Sequence, residues 1–149
     1  MSRPRAARTV ENALRRLGFV RVAGVDEVGR GCLAGPVMAG AVVLDPARHI
    51  AGLRDSKLLS PSQRERLFDV IVGECCGWAV ASVEADEIDR INIHRASLRA
   101  MREAVLGLEP LPDMVLVDAF RIPGLMMAQR GIVHGDARCA AIAAASIVA

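Results

Sequence analysis

An α/β fold, a sheet with helices packed on it, is what this chain predicts, and three observations carry the prediction. Short apolar runs rich in valine and alanine recur along it, at Phe19–Val28, Gly35–Leu44 and Met114–Val117, and such runs suit buried strands. Apolar residues at helical spacing lie between them, with start and stop signals at their ends. The order is strands first, then helices and strands in alternation. At 149 residues and 52% hydrophobic, the chain has the size for a single domain with one real core.

Taken in order, Thr9 to Leu17 reads as a short helix leading into the first strand. The second strand covers Gly35 to Leu44, and Asp45-Pro46 turns the chain after it. Ser60-Pro61-Ser62-Gln63 starts a helix: Ser60 caps it, Pro61 suits the first turn, and Gln63 closes a capping box. That helix runs to about Cys75 and buries Leu67, Val70 and Ile71. Trp78 to Val83 is the third strand. A helix from Ile93 to Leu108 carries Leu98, Met101, Val105 and Leu108 on one stripe, and Pro110 and Pro112 stop it. Met114 to Val117 is a wholly apolar strand ending in Asp118. A fifth strand near Gly131 to Val133 leads through Gly135 and Asp136 into a last, alanine-rich helix. Ala140 to Ala149 contains no glycine cap, basic last turn or proline stop, so the chain is expected to be part of a longer one.

Composition excludes several classes. No apolar stretch approaches the roughly 20 residues that span a bilayer, and Met1 to Arg21 lacks the apolar block of a signal peptide. The cytoplasm is therefore the expected compartment, and nothing calls for a membrane or a partner chain, so a monomer is expected. Cys32, Cys75, Cys76 and Cys139 show no CxxC spacing and read as reduced thiols. The net charge is only +2, but residues 1–21 hold six arginines against Glu11, a net +5, leaving −3 for the remainder. Residues 1–18 thus form a basic helix or arm, either a solvated tail or a contact for a polyanion. With no tyrosine, one tryptophan and three phenylalanines, there is little to stack on unpaired bases.

The informative segment is Val22-Ala-Gly-Val-Asp-Glu-Val-Gly-Arg-Gly31. It sets two carboxylates, Asp26 and Glu27, at the end of a buried strand, where an unpaired charge costs several kcal/mol (about 3–5 kcal/mol when a partner is missing). A divalent cation is the economical partner, and Gly29 and Gly31 leave the backbone around Arg30 open to a ligand. Asp118 also ends a strand, and ligands of open α/β sheets gather beyond such ends. If the two strands are neighbours, Asp26, Glu27 and Asp118 converge. Adjacent residues of a regular strand face opposite ways, so Asp26 and Glu27 both reach a metal only where the strand ends or bulges. Oxygen ligands of this kind suit magnesium or manganese.

These blocks resemble the ribonuclease HII family, the bacterial type 2 ribonucleases H. The resemblance runs from about Arg15 to Ala149. It rests on Ala23 to Gly31 followed by Leu33-Ala-Gly-Pro-Val37, then Asp55-Ser56-Lys57, Ile91-Asn-Ile-His94, Val117-Asp118, and His134-Gly135-Asp136 before Ile142 to Ile147. It implies a ribonuclease H-like fold with a mixed five-stranded sheet and one catalytic domain over 1–149, its C-terminal part missing. It further implies an endonuclease that cuts the RNA strand of RNA–DNA hybrids and incises at ribonucleotides embedded in duplex DNA, as in ribonucleotide excision repair. Two Mn2+ or Mg2+ ions are implied, with Asp26 bridging both, Glu27 holding one and Asp118 the other. Gly29, Arg30 and Gly31 would sense the ribose 2′-OH, and Ser56 and Lys57 would hold phosphates.

The same resemblance places a fourth metal-binding aspartate beyond the last helix, so this chain is expected to lack it and to turn over weakly or not at all. Leu58, Ala119-Phe120 and His134 stand where the family usually carries Lys, Gly-Asn and Lys. An inactive hybrid-binding fragment is the alternative reading, and another two-metal nuclease or phosphatase on the same fold is a third. Remaining polar residues have plainer roles. Glu84, Asp86, Glu87 and Asp89 suit a helix's first turn, His49, His94 and His134 suit the surface, and Asp136 suits an N-cap.

Overall fold

The apolar runs fold into one five-stranded mixed sheet in the computed structural model, which describes residues 6–28, 35–54, 56–118 and 120–149. The strands are β1 (Val22–Val28), β2 (Val37–Val43), β3 (Gly77–Val83), β4 (Met114–Asp118) and β5 (Ala128–Ile132), in the spatial order β3-β2-β1-β4-β5. β1, β2 and β3 pair antiparallel, whereas β1 with β4 and β4 with β5 are parallel. The helices are α1 (Thr9–Arg16), α2 (Pro61–Glu74), α3 (Ala85–Ile91), α4 (Ile93–Leu106), α5 (Gly135–Arg138) and α6 (Ala140–Val148). A 3-10 turn covers Ser56–Leu58.

Strand alternation sorts the core into two layers. Val22, Val42, Leu44 and Leu116 face α1, α2 and α6, where Leu14, Leu67, Ile71 and Ile142 meet them. Ala23, Val25, Ala41, Val115 and Val117 face α4. The helix α4 buries Ala96, Ser97, Ala100 and Ala104 with Met101 and Val105, so its contact stripe is mostly small residues, and Leu98 is only half-buried at its border. Small side chains let the helix lie close to the sheet.

The capping box forms as expected: Ser60 Oγ accepts from the Gln63 amide at 3.2 Å, and Gln63 Oε1 accepts from the Ser60 amide at 2.8 Å. Two strand starts differ from expectation by three residues. The first strand begins at Val22 rather than Phe19, because the amides of Val20 and Arg21 donate to the Asp113 carboxylate, both at 2.8 Å, instead of to a neighbouring strand. The fifth strand begins at Ala128, since an edge strand can carry the exposed polar pattern of Ala128 to Arg130. Cys75, Cys76 and Cys139 are free thiols. Among the described residues no helix is long and apolar enough to cross a membrane.

Candidate active site

The parallel pairing of β1 with β4 aligns Val25 with Val117, so Asp26 and Asp118 follow side by side at the carboxyl ends of two adjacent strands. Asp26 shares a face with Val22 and Gly24, and Asp118 shares one with Met114 and Leu116. Both side chains therefore turn toward α5 and α6. There Asp136, in the first turn of α5, meets them: one carboxylate oxygen from each of the three aspartates lies within 4.8 Å of the others.

Each position has a local cause. Gly135 donates its amide to Asp118 Oδ1 at 3.0 Å, which fixes that carboxylate. A Cβ on Gly135 would fall 2.6 Å from Ile142 Cδ1, a side-chain tip on α6, and 3.4 Å from the Asp118 Cα, so α5 packs close to both. Asp26 Oδ1 accepts from the Glu27 amide at 2.9 Å, and Asp26 is nearly buried at 7% exposure. Burial, then the neighbouring Glu27 carboxylate, and in smaller measure Asp136, push the Asp26 carboxyl up to about 9. A group of acids so placed attracts positive charge, and the donor set, oxygen only and partly buried, matches a hard divalent cation.

The sequence expectations meet this geometry unevenly. Asp26 and Asp118 converge. Glu27 is not one of the three acids that come within 4.8 Å of one another, but it follows Asp26 directly on β1, opposite Ala39 of β2, and its carboxylate lies against that of Asp26. Asp136 is not an N-cap; that position falls on His134, whose left-handed backbone (φ 55°) makes no side-chain cap. A further aspartate, Asp136, stands beside Asp26 and Asp118, where the expectation had this chain supplying none. A glycine-aspartate pair between a strand and an alanine-rich helix was the signal, and it reads equally well as a cap.

Lys57 reaches the site from outside, its Nζ 3.8 Å from Asp136 Oδ2, with its side chain largely exposed. Ser56 is buried, and its amide lies 3.3 Å from Ser146 Oγ. Gly29, Arg30 and Gly31, like Cys32 and Ala119, lie outside the described residues. Phe120 is half exposed just past Asp118 and packs edge-on against His94, with ring centroids 5.3 Å apart. The acidic group near α3 follows its plainer reading: Asp86 and Glu87 occupy the first turn, and Glu87 pairs with Arg90 and Arg99.

Comparison with known proteins gives a consistent answer. The family model described as Ribonuclease HII matches residues 23–149. Ribonuclease HII 1 of Methylibium petroleiphilum is 53% identical over 127 residues, 85% of this chain and 64% of that protein. Ribonuclease HII of Solibacter usitatus is 52% identical over 149 residues, 97% of this chain and 63% of that protein. Among solved structures, the ribonuclease H2 from Pyrococcus horikoshii OT3 superposes with a TM-score of 0.75 at 29% identity, covering 87% of this chain and 70% of its own. The chain thus spans just under two thirds of the length of these two bacterial relatives.

Proposed function

The chain belongs to the ribonuclease HII family, and from that premise we propose that it carries the catalytic centre of an endonuclease acting on the RNA strand of RNA–DNA hybrids and on ribonucleotides embedded in duplex DNA. The observation that carries the reading is the meeting of Asp26, Asp118 and Asp136 within 4.8 Å at the ends of two parallel strands. These three would hold divalent ions, Mn2+ or Mg2+, with Glu27 beside Asp26 as a fourth acid. When bound, such ions supply Lewis acidity, charge stabilisation at phosphorus and a more acidic water.

The reaction is hydrolysis: a water oxygen bonds to phosphorus, the bond to the 3′ oxygen breaks, and that oxygen takes up a proton. The protein's part is to orient. Gly135 holds Asp118 through its amide, and the depth of Asp26 keeps bulk water from its carboxylate. Lys57, cationic and exposed beside Asp136, would meet a backbone phosphate, a contact that fixes register without reading sequence. Arg30, framed by Gly29 and Gly31, would sense the 2′-OH, the group that separates RNA from DNA. A hybrid-binding role without turnover loses its main support, since it rested on the chain lacking a further aspartate.

Arg30→Ala tests the substrate assignment. Incision of a DNA duplex carrying one ribonucleotide should fall by about 10–100-fold, the scale of losing one charge-assisted contact of roughly 1.5–3 kcal/mol. The readout is the single-turnover rate with Mn2+ on that duplex. An unchanged rate removes Arg30 from recognition and withdraws the ribonucleotide-sensing reading.

A further inference from the structure

The first amides of α6 are satisfied by a segment some 130 residues upstream. Ala140 donates its amide to the Ala7 carbonyl at 2.8 Å, and the Ala7 amide donates to the Arg138 carbonyl at 3.3 Å. Ala141 donates its amide to Glu11 Oε1 at 2.7 Å, and Cys139 Sγ lies 3.5 Å from the same oxygen. Cys139, the residue at the N-cap of α6, makes no side-chain cap itself, so the capping is delegated to α1.

Glu11 is an unusual residue for that task. It lies on a helix otherwise rich in arginine, yet it is wholly buried, and its Oε2 has no hydrogen-bond partner. Leaving a carboxylate half satisfied in a core is costly, and the positive end of α6 with the nearby Arg8 and Arg15 offsets the charge. A neutral cap at Cys139 would satisfy α6 at lower cost. What Glu11 adds is a tie between α1 and the elbow joining α5 to α6, at Arg138 to Ala141. Asp136 stands only three residues before Cys139, on the short helix that this elbow anchors.

We infer that Glu11 is a positioning residue for the metal centre: by holding the α5–α6 elbow it sets where the Asp136 carboxylate meets those of Asp26 and Asp118. The inference rests on the metal-centre reading above. Glu11 touches none of the three aspartates, and it lies outside the residues matched by the family model.

The test is a Mn2+ titration of the full 149-residue chain, followed by the electron paramagnetic resonance of free Mn2+, with folding checked by circular dichroism. Glu11→Ala should weaken Mn2+ binding by about 10–100-fold, the usual loss when a group that orients a metal ligand is removed. Glu11→Gln keeps an acceptor oxygen for the Ala141 amide and should bind Mn2+ nearly as the parent does. The decisive comparison is a cycle with Asp136→Asn. In that background Glu11→Ala should cost nothing further, because the ligand it positions is already gone. An equal loss in both backgrounds, or unchanged Mn2+ binding by folded Glu11→Ala, overturns the inference. If Glu11→Ala does not fold, Glu11→Asp takes its place, since the shorter side chain keeps the charge but withdraws from the Ala141 amide. If Asp136→Asn alone binds Mn2+ like the parent, the metal-centre reading fails and the inference with it.

Discussion

Asp26→Asn should abolish hybrid cleavage and, in the same protein, raise the thermal stability of the metal-free chain. The first effect follows from position. Asp26 is the most buried of the three clustered aspartates. A metal centre contributes several kcal/mol of transition-state charge stabilisation, and each 1.36 kcal/mol is tenfold in rate, so a loss of at least about 1,000-fold is expected. The second effect follows from burial. The Asp26 carboxyl is held away from water, and burial with Glu27 and Asp136 beside it disfavours its charged form. An amide of the same shape removes a share of the repulsion and keeps an acceptor for the Glu27 amide. A gain of about 1–2 kcal/mol, a few degrees in Tm for a chain of this size, is the expected scale. Calorimetry with and without Mn2+, beside the cleavage assay, checks both. A fall in metal-free stability would mean that Asp26 is paired in the core, contrary to the geometry of the three aspartates.

The largest stability effect should come from Gly24→Ala. A Cβ at Gly24 would sit 2.2 Å from the carbonyl carbon of Ala141 and 2.4 Å from both the Ala141 oxygen and the Ile142 nitrogen. These are backbone atoms of α6, which cannot rotate away as a side chain can, so the helix itself must lift off β1. Overpacking of this kind costs about 1–3 kcal/mol and occasionally more, and contact with helix backbone places Gly24 at the upper end. A drop in Tm of roughly 6–12 °C is expected on that basis. Mn2+ binding should weaken as well, because α6 carries the elbow that leads to Asp136. The same substitution at Gly73 has the opposite sign. No atom lies within 4 Å of a Cβ there and its backbone is helical, so Gly73→Ala should stabilise α2 by about 0.5–1 kcal/mol. Equal destabilisation at both positions would show that the contact with α6 is not what Gly24 serves.

Much of the fold was legible because local signals and tertiary roles agree. The capping box at Ser60 and Gln63 has a purely local cause, and it forms as the residues predict. The two strands ending in Asp26 and Asp118 were readable because a carboxylate directly after a buried apolar run calls for a cation to balance it. What escaped depended on neighbours that lie far away in sequence. The small residues of α4 give way to Leu98 in any pattern that weighs size, although closeness to the sheet is what counts. Asp136 was the costliest miss. A short polar residue before a helix satisfies the cap pattern, and only the packing of α5 against the end of β4 reveals that it faces two other carboxylates. Glu11 carried no signal at all, since an acid among arginines reads as surface.

The most direct measurement is Mn2+-dependent incision of a DNA duplex carrying one ribonucleotide, with this 149-residue chain assayed beside its Asp136→Asn variant. The parent chain should incise the duplex, and Asp136→Asn should lose at least about 100-fold, the scale expected when one of a few ion-holding carboxylates is removed. Incision by Asp136→Asn at the parental rate would contradict the assignment of the site to Asp26, Asp118 and Asp136. Binding of the duplex without incision by either protein would contradict the catalytic reading and leave a binding function in its place.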